Sequence, residues 1–152
     1  MRMNGHYIDQ KENRASEIIR NMLENCGGRA VVYTLRGLPC QIYADTNGTS
    51  FISDKLPITP PYQYSVFDII VEFLLERGGH ARKGNGRNYR LGEKNCDDTT
   101  VIGVISARYS HKKAGESVFD PVFVLAAVLE WANIAENRRG ELVLKEDYLK
   151  KL

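Results

Sequence analysis

A chain of 152 residues, 43% hydrophobic and 26% charged, has the composition of an ordinary folded protein, which excludes wholesale disorder and leaves room for one core or two small ones. The formal charge of +2 conceals an uneven distribution: Arg77 to Lys113 holds nine Lys/Arg against three acids, a net +6, leaving −4 for the rest. No apolar run reaches the ~18 residues that span a bilayer, and the start MRMNGHYIDQKENR lacks an apolar secretory stretch, so a cytoplasmic protein with no membrane partner is expected.

Residues 1–13 are polar and aperiodic and read as a loose tail. From Ser16 to Cys26, the positions of Ile18, Ile19, Met22, Leu23 and Cys26 match one face of a helix that Gly27-Gly28 ends. Ala30 to Leu35 and Cys40 to Ala44 alternate as strands on either side of Gly37-Leu38-Pro39. Asn47-Gly48 then predicts a hairpin turn with both residues at positive φ, leading into a third strand over Thr49 to Ser53. A helix and a three-stranded antiparallel meander are thus expected to make a unit of residues 14–56.

Pro57, Pro60 and Pro61 interrupt any regular element and mark residues 57–64 as a linker. Ser65, with Asp68 three residues on as in a capping box, opens a second helix whose circumference is almost wholly apolar and which stops at Gly78-Gly79. Ile18-Ile19, Leu23, Gly27-Gly28 and Ala30 recur as Ile69-Ile70, Leu74, Gly78-Gly79 and Ala81 at a constant offset of 51. A duplicated helix-to-strand unit would leave that pattern, as would two independent amphipathic helices with glycine ends.

The stretch from His80 to Arg90 is basic, glycine-rich and free of acids, as in an exposed loop entering a short strand at Tyr89 to Leu91. Thr99 to Tyr109 is read as a helix capped by Asp97 or Asp98, although its β-branched density suits a buried strand too. Asp120-Pro121 reads as N-cap and first position of a helix from Val122 to Ala135. Asn137 to Gly140 is then a turn, Glu141 to Leu144 a strand, and Glu146 to Leu152 a closing helical turn.

Taken together, the helices at 66–77, 99–109 and 121–135 are followed by Leu129-Glu-Trp-Ala-Asn-Ile134 and then Arg139-Gly-Glu-Leu-Val-Leu144. In this the C-terminal half resembles a winged-helix DNA-binding module. The expected class is therefore α+β: the N-terminal helix and meander, then a winged-helix-like unit over 65–152 with a short β-hairpin wing. The resemblance implies DNA as partner. A helix that reads the major groove presents polar side chains, however, and the one at 122–135 offers only Glu130 and Asn133. Contact is expected instead from Arg82, Lys83, Arg87, Tyr89 and Arg90, from Arg108, His111, Lys112 and Lys113, and from Arg138 and Arg139, mostly as phosphate contacts. Thr99, Thr100, Ser106 and Arg108 are the candidates for base edges, and Tyr89 for stacking. A solvated basic face, with Tyr89 packed in a strand, accounts for the same residues.

Lys83-Gly-Asn-Gly-Arg87 lacks both the third glycine of a dinucleotide fingerprint and the Gly-Lys-Ser/Thr of a P-loop. His6, His80 and His111 stand apart, Asp97-Asp98 reads as a helix cap, and no nucleophile pairs with a base. No enzyme, cofactor or metal site is expected. Cys26, Cys40 and Cys96 are expected as free, buried thiols, with a reactive Cys40 the lesser reading. Trp131, Phe119 and Phe123 read as core anchors, and an apolar last helix also suits a homodimer seam. Two functions fit. One is a nucleic-acid-binding regulator of the kind a phage or mobile element encodes; the other is a small protein-interaction module whose basic face docks on an acidic or nucleoprotein partner, as phage-encoded, anti-CRISPR-like inhibitors of host defence do.

Overall fold

The structure is a computed structural model that describes residues 11–152. Of the expected tail, residues 1–10 lie outside the described residues, and Lys11–Asn13 form a 3-10 turn. The described chain holds five α-helices and two antiparallel sheets of three strands, a mixed α+β architecture.

Helix α1 (Ala15–Asn25) buries Ala15, Ile19 and Leu23, one residue per turn along a single stripe. Its end is closed by two left-handed glycines: Gly27 N donates to Glu24 O at 3.0 Å and Gly28 N to Leu23 O at 2.9 Å. Helix α2 (Ser65–Glu76) ends the same way, with Gly78 N on Leu75 O at 3.2 Å and Gly79 N on Leu74 O at 2.7 Å. A closure of this kind needs positive φ at its turning residue, which glycine adopts without a Cβ penalty. The repeated pattern in the sequence corresponds to this shared closure, which turns the chain into β1 (Arg29–Tyr33) in one case and β4 (His80–Arg82) in the other.

The first sheet runs β1, β2 (Pro39–Ala44), β3 (Phe51–Ser53) in order, with Val32 opposite Cys40 and Ile42 opposite Ser53 on its buried face. The turn before β3 is longer than the Asn-Gly pair predicts. It spans 45–50, and only Gly48 has positive φ. Asn47 contributes its side chain instead, its Oδ1 accepting from Thr49 N and Ser50 N at 3.0 Å each. Residues 57–64 do not run free as a linker. Phe51 N donates to Tyr62 O and Tyr64 N to Thr49 O, both at 3.0 Å, and the Tyr62 and Tyr64 rings are buried against Phe51. Aromatic burial decides the path of this segment, and the prolines only forbid a regular element along it.

The C-terminal half follows the succession α2, β4, α3 (Val101–Val104, continuing into a π-helical turn Ile105–Tyr109), α4 (Val122–Trp131), β5 (Ala135–Arg138), β6 (Glu141–Leu144) and α5 (Glu146–Leu149). Its sheet order is β4-β6-β5, so the last strand lies between the other two. Several boundaries differ from expectation for local reasons. Tyr89 to Leu91 is not a strand: residues 83–99 are a string of turns, and Leu91 is held by backbone bonds to Gly115 and Glu116. The cap of α3 is Thr100, whose Oγ1 accepts from Gly103 N at 3.1 Å, while Asp97 closes the preceding turn on Thr99 N. Pro121 takes the N-cap position of α4, one residue later than expected, with Asp120 Oδ1 still accepting from Val122 N at 3.0 Å. Asp68 makes no capping box with Ser65; its Oδ1 accepts from Ser16 N at 3.0 Å and so caps α1 across the core.

Helix α4 also stops before Ala135. Asn133, at φ +61, takes the role glycine has in the other two helices, with Asn133 N on Glu130 O and Ile134 N on Leu129 O, each at 3.0 Å. Ala135 is thereby freed to start β5. Val122 and the residues from Val124 to Leu129 are all buried, because α4 packs between β5, β1 and α1. Buried residues from both halves form one continuous hydrophobic cluster.

Candidate nucleic-acid interface

Three tight turns, distant in sequence, meet around the start of α4. The first carries Arg36 and is closed by Gly37 N on Thr34 O at 2.8 Å and by Leu38 N on Thr34 Oγ1 at 3.1 Å. The second carries Arg87, and Asn85 Oδ1 fixes it by accepting from Arg87 N and Asn88 N at 3.0 Å each. The third is the Arg139-Gly140 turn between β5 and β6, where Gly140 O also receives Lys83 N at 2.8 Å.

These turns line an open groove of about 860 Å³ with Thr34, Leu35, Arg36, Leu38, Arg87, Phe123 and Arg139 on its walls. Among the described residues no acidic side chain lines it, and Arg36, Arg87 and Arg139 make no ion pair or side-chain hydrogen bond there. Phe123 is 42% exposed, Leu35 50% and Leu38 56%, so apolar surface sits between the guanidiniums. Arg87 and Phe123 also line an adjoining recess with Lys83, Gly84, Asn85, Asn88, Asp120 and Val122. The Asp120 carboxylate there is engaged by backbone donors, Gly86 N at 2.9 Å and Val122 N at 3.0 Å.

The other basic candidates fall elsewhere or are engaged. Lys83 is half-buried with its Nζ on Asn137 Oδ1, and burial pulls its ammonium below the ordinary lysine range. Arg82 donates to Asn95 Oδ1 and Thr99 Oγ1, and Arg90 to Gly115 O. Arg108 forms a two-pronged pair with Glu76 at 3.1 and 3.3 Å, and Arg138 pairs with Glu136 at 2.7 Å. Arg108 and Lys112 line a separate depression that also contains Asp97 and Asp98. Lys113 is exposed and lines neither groove. Tyr89 is half-buried against the core, outside any strand.

Thr100 and Ser106 are buried, at 0% and 2% exposure, which removes them as readers of base edges. The Lys83–Arg87 glycines serve packing: a Cβ on Gly84 would meet Asn95 O at 2.5 Å, and one on Gly86 would meet Ile102 Cγ1 at 2.8 Å. The amides of residues 85–88 all have acceptors within the protein, so this loop offers no backbone nest to a phosphate. Cys40 and Cys96 are buried and burial pushes both thiols up, whereas Cys26 is exposed, contrary to expectation. Phe119 and Phe123 are not core anchors either: the last residue before Asp120 and the second of α4 both face outward, at 44% and 42% exposure.

Of the groove residues, Arg36 carries no mark of its own in the sequence, and Phe123 reads there as a core anchor. The available signal is Leu35-Arg36-Gly37-Leu38, a tight turn with one leucine at its tip and another just after it, where polar residues are usual. No family model, no curated protein and no solved structure matches this chain.

Proposed function

We propose that this protein binds nucleic acid as a winged-helix-like module, through the arginine groove rather than through its third helix. The observation that carries this reading is the convergence of Arg36, Arg87 and Arg139 on one groove with no acid among its described walls. Guanidinium forks match phosphate oxygens in a way that single ammonium charges do not. The order of elements in the C-terminal half and its β4-β6-β5 sheet support the winged-helix-like part of the reading. In such an arrangement the third helix would enter a major groove, but α4 is covered by β1 and α1. The interactions left are those that position a nucleic acid without reading its sequence.

Filter binding of labelled DNA across a salt series tests this. Replacing Arg36, Arg87 and Arg139 together by alanine is expected to weaken binding at least a hundredfold at low salt, and to flatten the salt slope by about 0.7–0.9 for each phosphate that is no longer neutralised. Arg108→Ala, whose charge Glu76 already offsets, should leave both nearly unchanged. Undiminished binding by the triple variant contradicts the assignment.

A second reading rests on the outer face of the meander. Val31, Tyr33 and Ile52 are exposed there, at 39%, 60% and 43%, beside the edge strand β1. Such a face suits a protein partner, with the arginines at its end meeting acidic groups on that partner. Copurification of a protein, with no absorbance from nucleic acid, would favour it.

A further inference from the structure

Resting on the nucleic-acid reading, we infer that the groove takes an unpaired strand, with a base stacked on Phe123 and neighbouring phosphates held by Arg36, Arg87 and Arg139. Among the described residues Phe123 is the one aromatic side chain on the groove wall, and it lies in the first turn of α4 between turns that each present a guanidinium. Its exposure is unusual for this helix, in which Val122 and residues 124–129 are all buried. Leu35 and Leu38 extend the apolar surface around it, so one nucleotide meets both an apolar floor and a cationic rim.

A duplex keeps its bases stacked on one another and would meet this groove only with sugars and phosphates. An unpaired strand can offer a base face, and stacking on an aromatic ring is indifferent to which base it is. The third helix is not free to enter a major groove, since α4 packs against β1, α1 and β5 and buries Val122 and residues 124–129. The three turns are fixed by their own hydrogen bonds, so little backbone ordering is needed when a strand binds. The amides of residues 85–88 are already engaged, which leaves phosphate recognition to side chains.

The test is fluorescence anisotropy with a labelled oligothymidylate of about ten nucleotides, compared with a duplex of equal length at the same salt. The strand is expected to bind at least tenfold more tightly than the duplex. Phe123→Ala should weaken the strand about tenfold and leave the duplex unchanged, while Phe123→Trp should retain strand binding. An unaltered melting temperature in Phe123→Ala shows that the loss is local, as its exposure implies. Equal or tighter duplex binding, with no effect of Phe123→Ala, overturns the strand inference and leaves the nucleic-acid reading in place. Failure of both oligonucleotides to bind, with or without binding of polyglutamate, overturns both.

Discussion

At Asp97 a single carboxylate determines how the chain enters α3. Its Oδ1 accepts from Thr99 N at 2.9 Å and Thr99 Oγ1 at 2.6 Å, and the hydroxyl bond holds the carboxyl below its ordinary value of 3.8, with the Thr99 amide adding to the effect. A carboxyl whose folded-state pKa is depressed contributes stability above its unfolded value, and that contribution is lost as pH falls through the folded value. Asp97→Asn should therefore melt lower than the parent at neutral pH, and the gap should close progressively below the ordinary carboxylate pKa. Thermal melts across a pH series decide this, and a gap unchanged at low pH would contradict the assigned bond. Nearby, Gly103 shows why this corner tolerates little change: a Cβ there would lie 1.8 Å from Asp97 O. Local chemistry of this kind is partly legible in the sequence. Asp97 reads as a cap and lies one turn early, with Thr100 taking the cap itself. The exposure of Phe123 is not legible, because an apolar residue in an apolar helix gives no sign of which side stays uncovered.

Among elements, helices are the most legible, since apolar spacing and glycine ends are both local signals. Helix α1 lies within a residue of its expected span, and α2 within two. The end of α4 is misplaced in the sequence reading because asparagine replaces glycine at its left-handed position, and asparagine is a weaker sign. Lys145 Nζ donates to Asn133 Oδ1 at 3.0 Å, which ties this helix end to the chain leaving β6. Asn133→Gly should cost little, keeping the backbone while losing that one exposed bond, whereas Asn133→Val should destabilise by about 1–2 kcal/mol through its left-handed backbone. Urea unfolding measures both, and equal losses would mean that the side-chain bond, not the backbone, sets the helix end. The strand expected at Tyr89 to Leu91 fails for the opposite reason. Its residues pair with no neighbouring strand, and Leu91 is tied to 115–116, a partner that no local pattern announces.

For the whole molecule, the net +6 of the stretch from Arg77 to Lys113 is a poor guide to surface charge. Arg108 is matched by Glu76 from α2, Lys83 is half-buried on Asn137, and Lys112 lies in a depression shared with Asp97 and Asp98. Only Arg87 from that stretch reaches the groove, joined by Arg139 of the turn between β5 and β6 and by Arg36 from the part of the chain whose net charge is negative. Convergence of this kind is set by how the meander packs over α4, a long-range fact that charge counting along the chain cannot supply. It also places the arginine turns on one body with a shared core, so the cationic rim is held in place before any ligand arrives. Whether a strand occupies the arginine groove is read out by an NMR titration of the labelled protein with a short DNA strand. Amide shifts are expected to concentrate at 34–38, 86–88, 122–124 and 139–140 and to weaken as salt is raised. Shifts confined to residues 108–113, or to the outer meander face around Val31, Tyr33 and Ile52, would contradict it.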